Sequence, residues 1–76
     1  MNKLILVLYV MKTRKQIEVI FDDRLSFVEN FYLLDELYNL NDLKNIYILD
    51  DNNIFLKKDI PIKEYEFKQF EKVYIF

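Results

Sequence analysis

The sequence predicts a single α+β domain, in which a mixed sheet of four or five strands packs on one helix. Three observations carry that expectation. Polar and apolar residues alternate from Gln16 to Val19 with the period of a strand. A helix-start signature at Ser26 is followed by apolar residues at helical spacing. Short β-rich runs then return between Asn45 and Phe76. Seventy-six residues hold one domain, 1–76. Neither a lone helix nor a lone sheet buries its apolar side, so each must cover the other.

The elements follow in the order β-β-α-β-β-β. Leu4 to Met11 is aliphatic and β-branched and reads as a strand. Lys12 to Lys15 is a polar turn, and Gln16 to Phe21 returns as the second strand of a hairpin. Ile20 breaks the alternation. Ser26 and Glu29 have the spacing of a capping box, whose two side chains satisfy free backbone donors at a helix start. Phe27, Phe31, Leu34 and Tyr38 then define one apolar helix face. Asn39 or Asn41 ends the helix, because Asn tolerates the left-handed cap position. Asn45 to Leu49 is a third strand, Asp50 to Asn53 a turn, and Ile54 to Leu56 a short return strand. Lys57 to Phe70 is irregular, and Lys72 to Phe76 is the last strand.

Composition excludes several kinds of chemistry. The chain has no Cys and no His, so it lacks disulfides, thiol nucleophiles and the usual general base. Small domains bury only about 60% of their unfolded surface. Here the apolar share of 53%, with seven Phe and six Tyr, must supply the core. There is no Gly, which excludes phosphate-cradling loops of the P-loop and dinucleotide kinds. Positive-φ positions are expected on Asn or Asp instead. Ser26 is the only Ser and is explained by its cap; Thr13, the only Thr, lies in a turn. Asp50-Asp51-Asn52-Asn53 lacks the alternating carboxylates of a Ca²⁺ loop and reads as a turn. The reading is therefore not an enzyme, with no cofactor and no metal.

Eleven basic against thirteen acidic residues give a net charge of −2. Lys12, Arg14 and Lys15 are the one basic cluster, and a solvated turn accounts for them, so nucleic acid is not an expected partner. Lys3 followed by the eight apolar residues Leu4 to Met11 has the minimum length of a signal-peptide core. It lacks a cleavage site and is too short to span a bilayer. The expectation is a cytoplasmic protein without direct membrane insertion.

The order and spacing resemble ubiquitin over nearly the whole chain, Leu4 to Phe76. The most specific segment is Ile62-Lys63-Glu64-Tyr65-Glu66-Phe67. It is similar to the L-x-D-Y-x-I motif that precedes the last strand of ubiquitin-like β-grasp domains. The resemblance implies that Ile62 and Phe67 plug the core, that the Tyr65 hydroxyl ties its loop to nearby backbone, and that Ser26 caps the helix. It implies that Ile17, Val19, Phe21, Val73 and Ile75 point inward. Where such domains often carry Gly before the last strand, Phe70-Glu71 stands. The ferredoxin branch needs cluster-binding thiolates that are absent. The chain stops at Phe76 without a Gly-Gly tail, so conjugation and sulfur transfer are not expected. In size, fold and missing tail it resembles the YukD (EsaB-type) proteins, which accompany type VII secretion systems. The richness in Asn, Lys, Ile and Tyr suggests an AT-rich, bacterial genome.

Parity points to a surface. With Val19 and Phe21 inward, a four-residue turn puts Leu6, Leu8 and Val10 beside them, and Ile5, Val7, Tyr9 and Ile20 face outward. Tyr74, Phe76, and Tyr47 or Leu49 join them. Val7, Tyr9, Ile20, Tyr47, Tyr74 and Phe76 are thus the candidate protein-interaction site. Outer sheet faces are normally polar, and contiguous apolar patches rich in Tyr mark interfaces. In ubiquitin the corresponding face engages partners. Two functions fit. One is a protein-binding accessory module, in its most specific form linked to type VII secretion. The other is a small self-associating regulator, such as an antitoxin or phage-encoded inhibitor, acting as a homodimer.

Overall fold

Residues 2–38 and 46–76 are described by the computed structural model. The helix end expected at Asn39 or Asn41, and the strand start at Asn45, lie outside them. Strands β1 (Lys3–Val10) and β2 (Lys15–Asp22) form the hairpin, and α1 (Phe27–Tyr38) follows. Then come β3 (Ile48–Asp50), β4 (Phe55–Leu56), a 3₁₀ turn at Ile62–Tyr65, and β5 (Glu71–Ile75). The sheet has five strands in the order β2-β1-β5-β3-β4. β1 and β5 are parallel at its centre, and the other neighbours are antiparallel. This is the expected mixed sheet on one helix.

The hairpin register sets the core. Leu4, Leu6 and Leu8 pair with Phe21, Val19 and Ile17, so the expected parity of β1 holds. These side chains meet Phe27 and Phe31 of α1, Ile48, Ile62, Val73 and Ile75. Val10, expected inward with them, is only half-buried, because it closes the hairpin opposite exposed Lys15. Phe21, Phe27 and Phe31 form a triangle of rings with centroids 5.7, 5.9 and 6.0 Å apart. Tilted and edge-on contacts of this kind add to the burial of large side chains.

The helix begins as its sequence dictates. The Glu29 N–H donates to Ser26 Oγ and the Ser26 N–H donates to Glu29 Oε1, each at 3.1 Å. Buried Asn30 adds a second anchor. Its Nδ2 donates to the carbonyls of Asp22 and Ser26, and its Oδ1 accepts the Asp22 N–H. The motif before β5 also behaves as the resemblance implies. Ile62 is fully buried and Phe67 half-buried edge-on against Phe27. The Tyr65 hydroxyl accepts the Lys57 N–H at 2.6 Å and donates to the Lys57 carbonyl at 3.2 Å.

Among the described residues, the expectation that left-handed positions would fall on Asn or Asp fails at three of four. Asn53 (φ 61°) obeys it, but Arg14 (φ 55°), Glu66 (φ 54°) and Phe70 (φ 66°) do not. Each is held by what surrounds it. Arg14 closes the four-residue hairpin turn, and Glu66 ends the 3₁₀ turn with its N–H on the Lys63 carbonyl. Phe70 donates its N–H to the Ile5 carbonyl at 2.7 Å. Such conformations cost roughly 1–3 kcal/mol each and persist where the rest of the fold over-determines them.

Because Phe31 is fully buried within the ring triangle, Phe31→Ala should lower stability by about 3–5 kcal/mol. Ser26→Ala, losing only the cap, should cost about 1 kcal/mol. Asn30→Leu should cost more than Ser26→Ala, since the N–H and carbonyl of Asp22 lose their partner together. Chemical denaturation checks this order. A Phe31→Ala midpoint near that of the parent would show that the helix face is wrongly placed.

Candidate functional site

The face of the sheet turned away from α1 can be read in rows across the strands. One row is Ile20–Ile5–Phe70, from β2 through β1 to the residue before β5. The next is Glu18–Val7–Lys72. The third is Gln16–Tyr9–Tyr74–Leu49–Phe55, spanning all five strands. The last joins Phe76 to Tyr47 through reciprocal backbone hydrogen bonds of 2.9 and 3.1 Å.

The candidate residues do not form the single exposed surface that parity suggested. Tyr9, Tyr47, Tyr74 and Phe76 lie together. Ile20 lies apart from them, beyond the charged row, beside Ile5 and Phe70. Val7 is on the outer face but is only 8% exposed, so it is not part of the exposed surface. The reason is its place in the register. Glu18 and Lys72 flank it, and long charged side chains cover apolar neighbours with their stems. The face therefore carries two apolar patches divided by one acid and one base.

The patch at Tyr47 is a shallow groove of about 270 Å³ lined by Tyr47, Leu49, Phe55 and Phe76. Tyr47 (64% exposed) and Phe55 (67%) pack edge-on at 6.1 Å and form its wall. Tyr74 borders it as a braced residue rather than a free one. Its ring stacks on Tyr9 at 5.1 Å, and its hydroxyl donates to Asp51 Oδ1 at 2.8 Å. That hydrogen bond, then partial burial and the charge of Asp51, hold the Tyr74 phenol above its ordinary pKa of 10.0. Asp51 is positioned by the turn it begins, where Asp50 Oδ1 accepts the N–H groups of Asn52 and Ile54.

Phe55 and Phe70 are exposed aromatic residues of this face that the sequence does not mark as such. Phe55 was within reach, because alternation with inward Leu56 turns it outward. Phe70 was not, since it lies in an aperiodic stretch and its direction depends on its left-handed backbone. The arrangement offers apolar contact and phenol hydroxyls. No group of three or more His, Cys, Asp or Glu among the described residues is placed to hold a metal ion. No helix among them is long and apolar enough to cross a membrane.

Solved structures with this arrangement of strands and helix include ubiquitin-like domains. One, from an Arabidopsis thaliana protein, superposes with a TM-score of 0.77 at 17% identity, covering 100% of this chain and 78% of the other. The C-terminal ubiquitin-like domain of mouse tubulin-specific chaperone e gives 0.68 at 16% identity, covering 97% and 84%. A structure described under molecular mimicry of SUMO in DNA repair gives 0.82 at 9% identity, covering 100% and 92%. No protein-family model and no curated protein sequence matches the chain. The fold is thus the ubiquitin-like β-grasp.

The Tyr74–Asp51 bond has a titration signature. A raised phenol pKa stabilises the fold fully below the unfolded value near 10, and that contribution is lost as pH rises through the higher folded value. Asp51→Asn should bring the Tyr74 ionisation down toward the ordinary tyrosine range. Carbon NMR of ring-labelled tyrosine, assigned with Tyr74→Phe, reads it directly. An unchanged Tyr74 titration would mean that the bond does not form in solution.

Proposed function

We propose that this protein is a non-catalytic ubiquitin-like module that binds another protein through the outer face of its sheet. The groove walled by Tyr47 and Phe55 carries the reading. Two large aromatic side chains, each about two-thirds exposed, stand beside Leu49 and Phe76 where an outer sheet face is normally polar. Aromatic anchors around a shallow apolar recess are what protein interfaces place at their centres. The resemblance to YukD-type proteins favours a partner in a bacterial type VII secretion system. A role as a small self-associating regulator is favoured by a separate observation, the placement of Glu18 and Lys72.

The test uses a photo-reactive phenylalanine analogue at Phe55 in the native cell. Cross-linked adducts to another protein should form there, and Tyr47→Glu should abolish them. Tyr47 is mostly exposed and its edge-on neighbour Phe55 is exposed too, so Tyr47→Glu should remain folded. A secretion ATPase in the adduct supports the secretion reading. Absence of any adduct at Phe55 overturns the binding surface.

A further inference from the structure

Val7 sits at the centre of the outer face with a carboxylate on one side and an ammonium on the other. Glu18 is its neighbour on β2 and Lys72 its neighbour on β5. Both are exposed, and neither has an ion-pair partner among the described residues. The face is therefore antisymmetric about β1, acid to one side and base to the other. Such a face is complementary to itself under one particular operation. A two-fold axis lying in the interface along β1 exchanges left and right but keeps position along the strand. It sets Glu18 of each copy opposite Lys72 of the other, twice. An axis running across the strands would instead set Glu18 on Glu18 and Lys72 on Lys72. Like charges brought face to face disfavour that arrangement, so the charges select the axis along β1.

The apolar row obeys the same operation. Ile20 flanks Ile5 on the β2 side, and Phe70 flanks it on the β5 side. The axis along β1 therefore places Phe70 of each copy over Ile20 of the other, with Ile5 meeting Ile5. The site exists on the surface as a recess of about 350 Å³ lined by Lys3, Ile5, Ile20, Gln69 and Phe70. Gln69 fixes it by accepting the Ile5 N–H and donating to the Lys3 carbonyl. Phe70 itself is 54% exposed in a left-handed conformation that is unfavourable for a bulky side chain. Inside one chain that geometry leaves an aromatic ring half in water, and a second copy would cover it.

We infer that two copies of this chain pair through the outer faces of β2, β1 and β5, with reciprocal Glu18–Lys72 contacts and each Phe70 seated on its counterpart's Ile20. The inference rests on the reading of this face as a protein-binding surface and names one occupant for half of it. β2 is the edge of the sheet, so in this arrangement the second copy ends over β5. β3 and β4 stay uncovered, and the groove at Tyr47 and Phe55 remains open to a different protein. Packed sheets keep their strands within about 30° of each other, which preserves these facing positions near the axis. An overlap three strands wide is at the small end of specific interfaces, under about 1,200 Å², so the dimer is expected to be weak.

Sedimentation equilibrium of the full chain at low salt, up to on the order of 1 mM, is the test. The parent chain should dimerise. Glu18→Lys and Lys72→Glu should each weaken the dimer by about tenfold or more, because each places like charges opposite one another at both contacts. The double variant E18K/K72E should recover it to within about threefold, since the facing charges are again opposite. Phe70→Ala should also weaken it, while Tyr47→Glu should not. Circular dichroism and thermal unfolding should show all variants folded. A parent chain that is monomeric throughout overturns the dimer, as do single variants that associate like the parent or a double variant that fails to recover. If that monomer still cross-links through Phe55, the dimer alone falls; if it does not, the binding surface falls with it.

Discussion

Val19 lies opposite Leu6, and the direction of every side chain in the hairpin depends on that pairing. Strand side chains alternate, so a slip of one residue would exchange the two faces completely. The four-residue turn from Met11 to Arg14 sets the pairing, with Arg14 in a left-handed conformation to close it. β1 passes the choice on to β5 through the parallel pairs Leu8–Val73 and Tyr9–Tyr74, and β5 passes it to β3. The core and the outer face are therefore one decision. The residues that fill the helix side leave Tyr9, Tyr74, Tyr47 and Phe76 on the other.

The same constraint explains how so small a domain holds together without cross-links. Three Phe rings from β2 and α1 lie at its centre, and the strand leucines close around them. The polar groups that this packing traps are satisfied locally. Ser26 and Glu29 complete the helix start, Asn30 answers three backbone groups, and Tyr65 binds both backbone groups of Lys57. No buried side-chain polar atom among the described residues lacks a partner.

What could be read from the sequence was whatever depends on short spacings. The capping box needs only Ser26 and Glu29 three apart. The inward set of β1 needs only a turn length and the alternation of β2. The plug at Ile62 and the tie at Tyr65 follow from a six-residue motif. The site was legible in part, for a physical reason. Parity tells which face a side chain is on but not what stands beside it. Parity places Val7 on the outer face, yet Glu18 and Lys72 flank it, and they become its neighbours only through cross-strand register. Phe70 escaped for the complementary reason. Its outward direction comes from a positive φ imposed by contacts with Ile5, a residue 65 positions earlier, and no local pattern encodes that.

Asn30 has a consequence beyond the helix start. β2 is an edge strand, and edge strands recruit other strands wherever their backbone donors and acceptors face outward. At Asp22 both outward groups are taken, the N–H by Asn30 Oδ1 and the carbonyl by Asn30 Nδ2. A side-chain amide has the same donor and acceptor as a peptide bond, so Asn30 stands in for the next strand at that end. Gln16, Glu18 and Ile20 share the parity of Asp22 and turn their backbone groups outward too. A foreign strand creeping along this edge would find a template from Gln16 to Ile20 and then meet an end already occupied. The buried amide thus shortens the region over which the protein can be drawn into indiscriminate sheet growth.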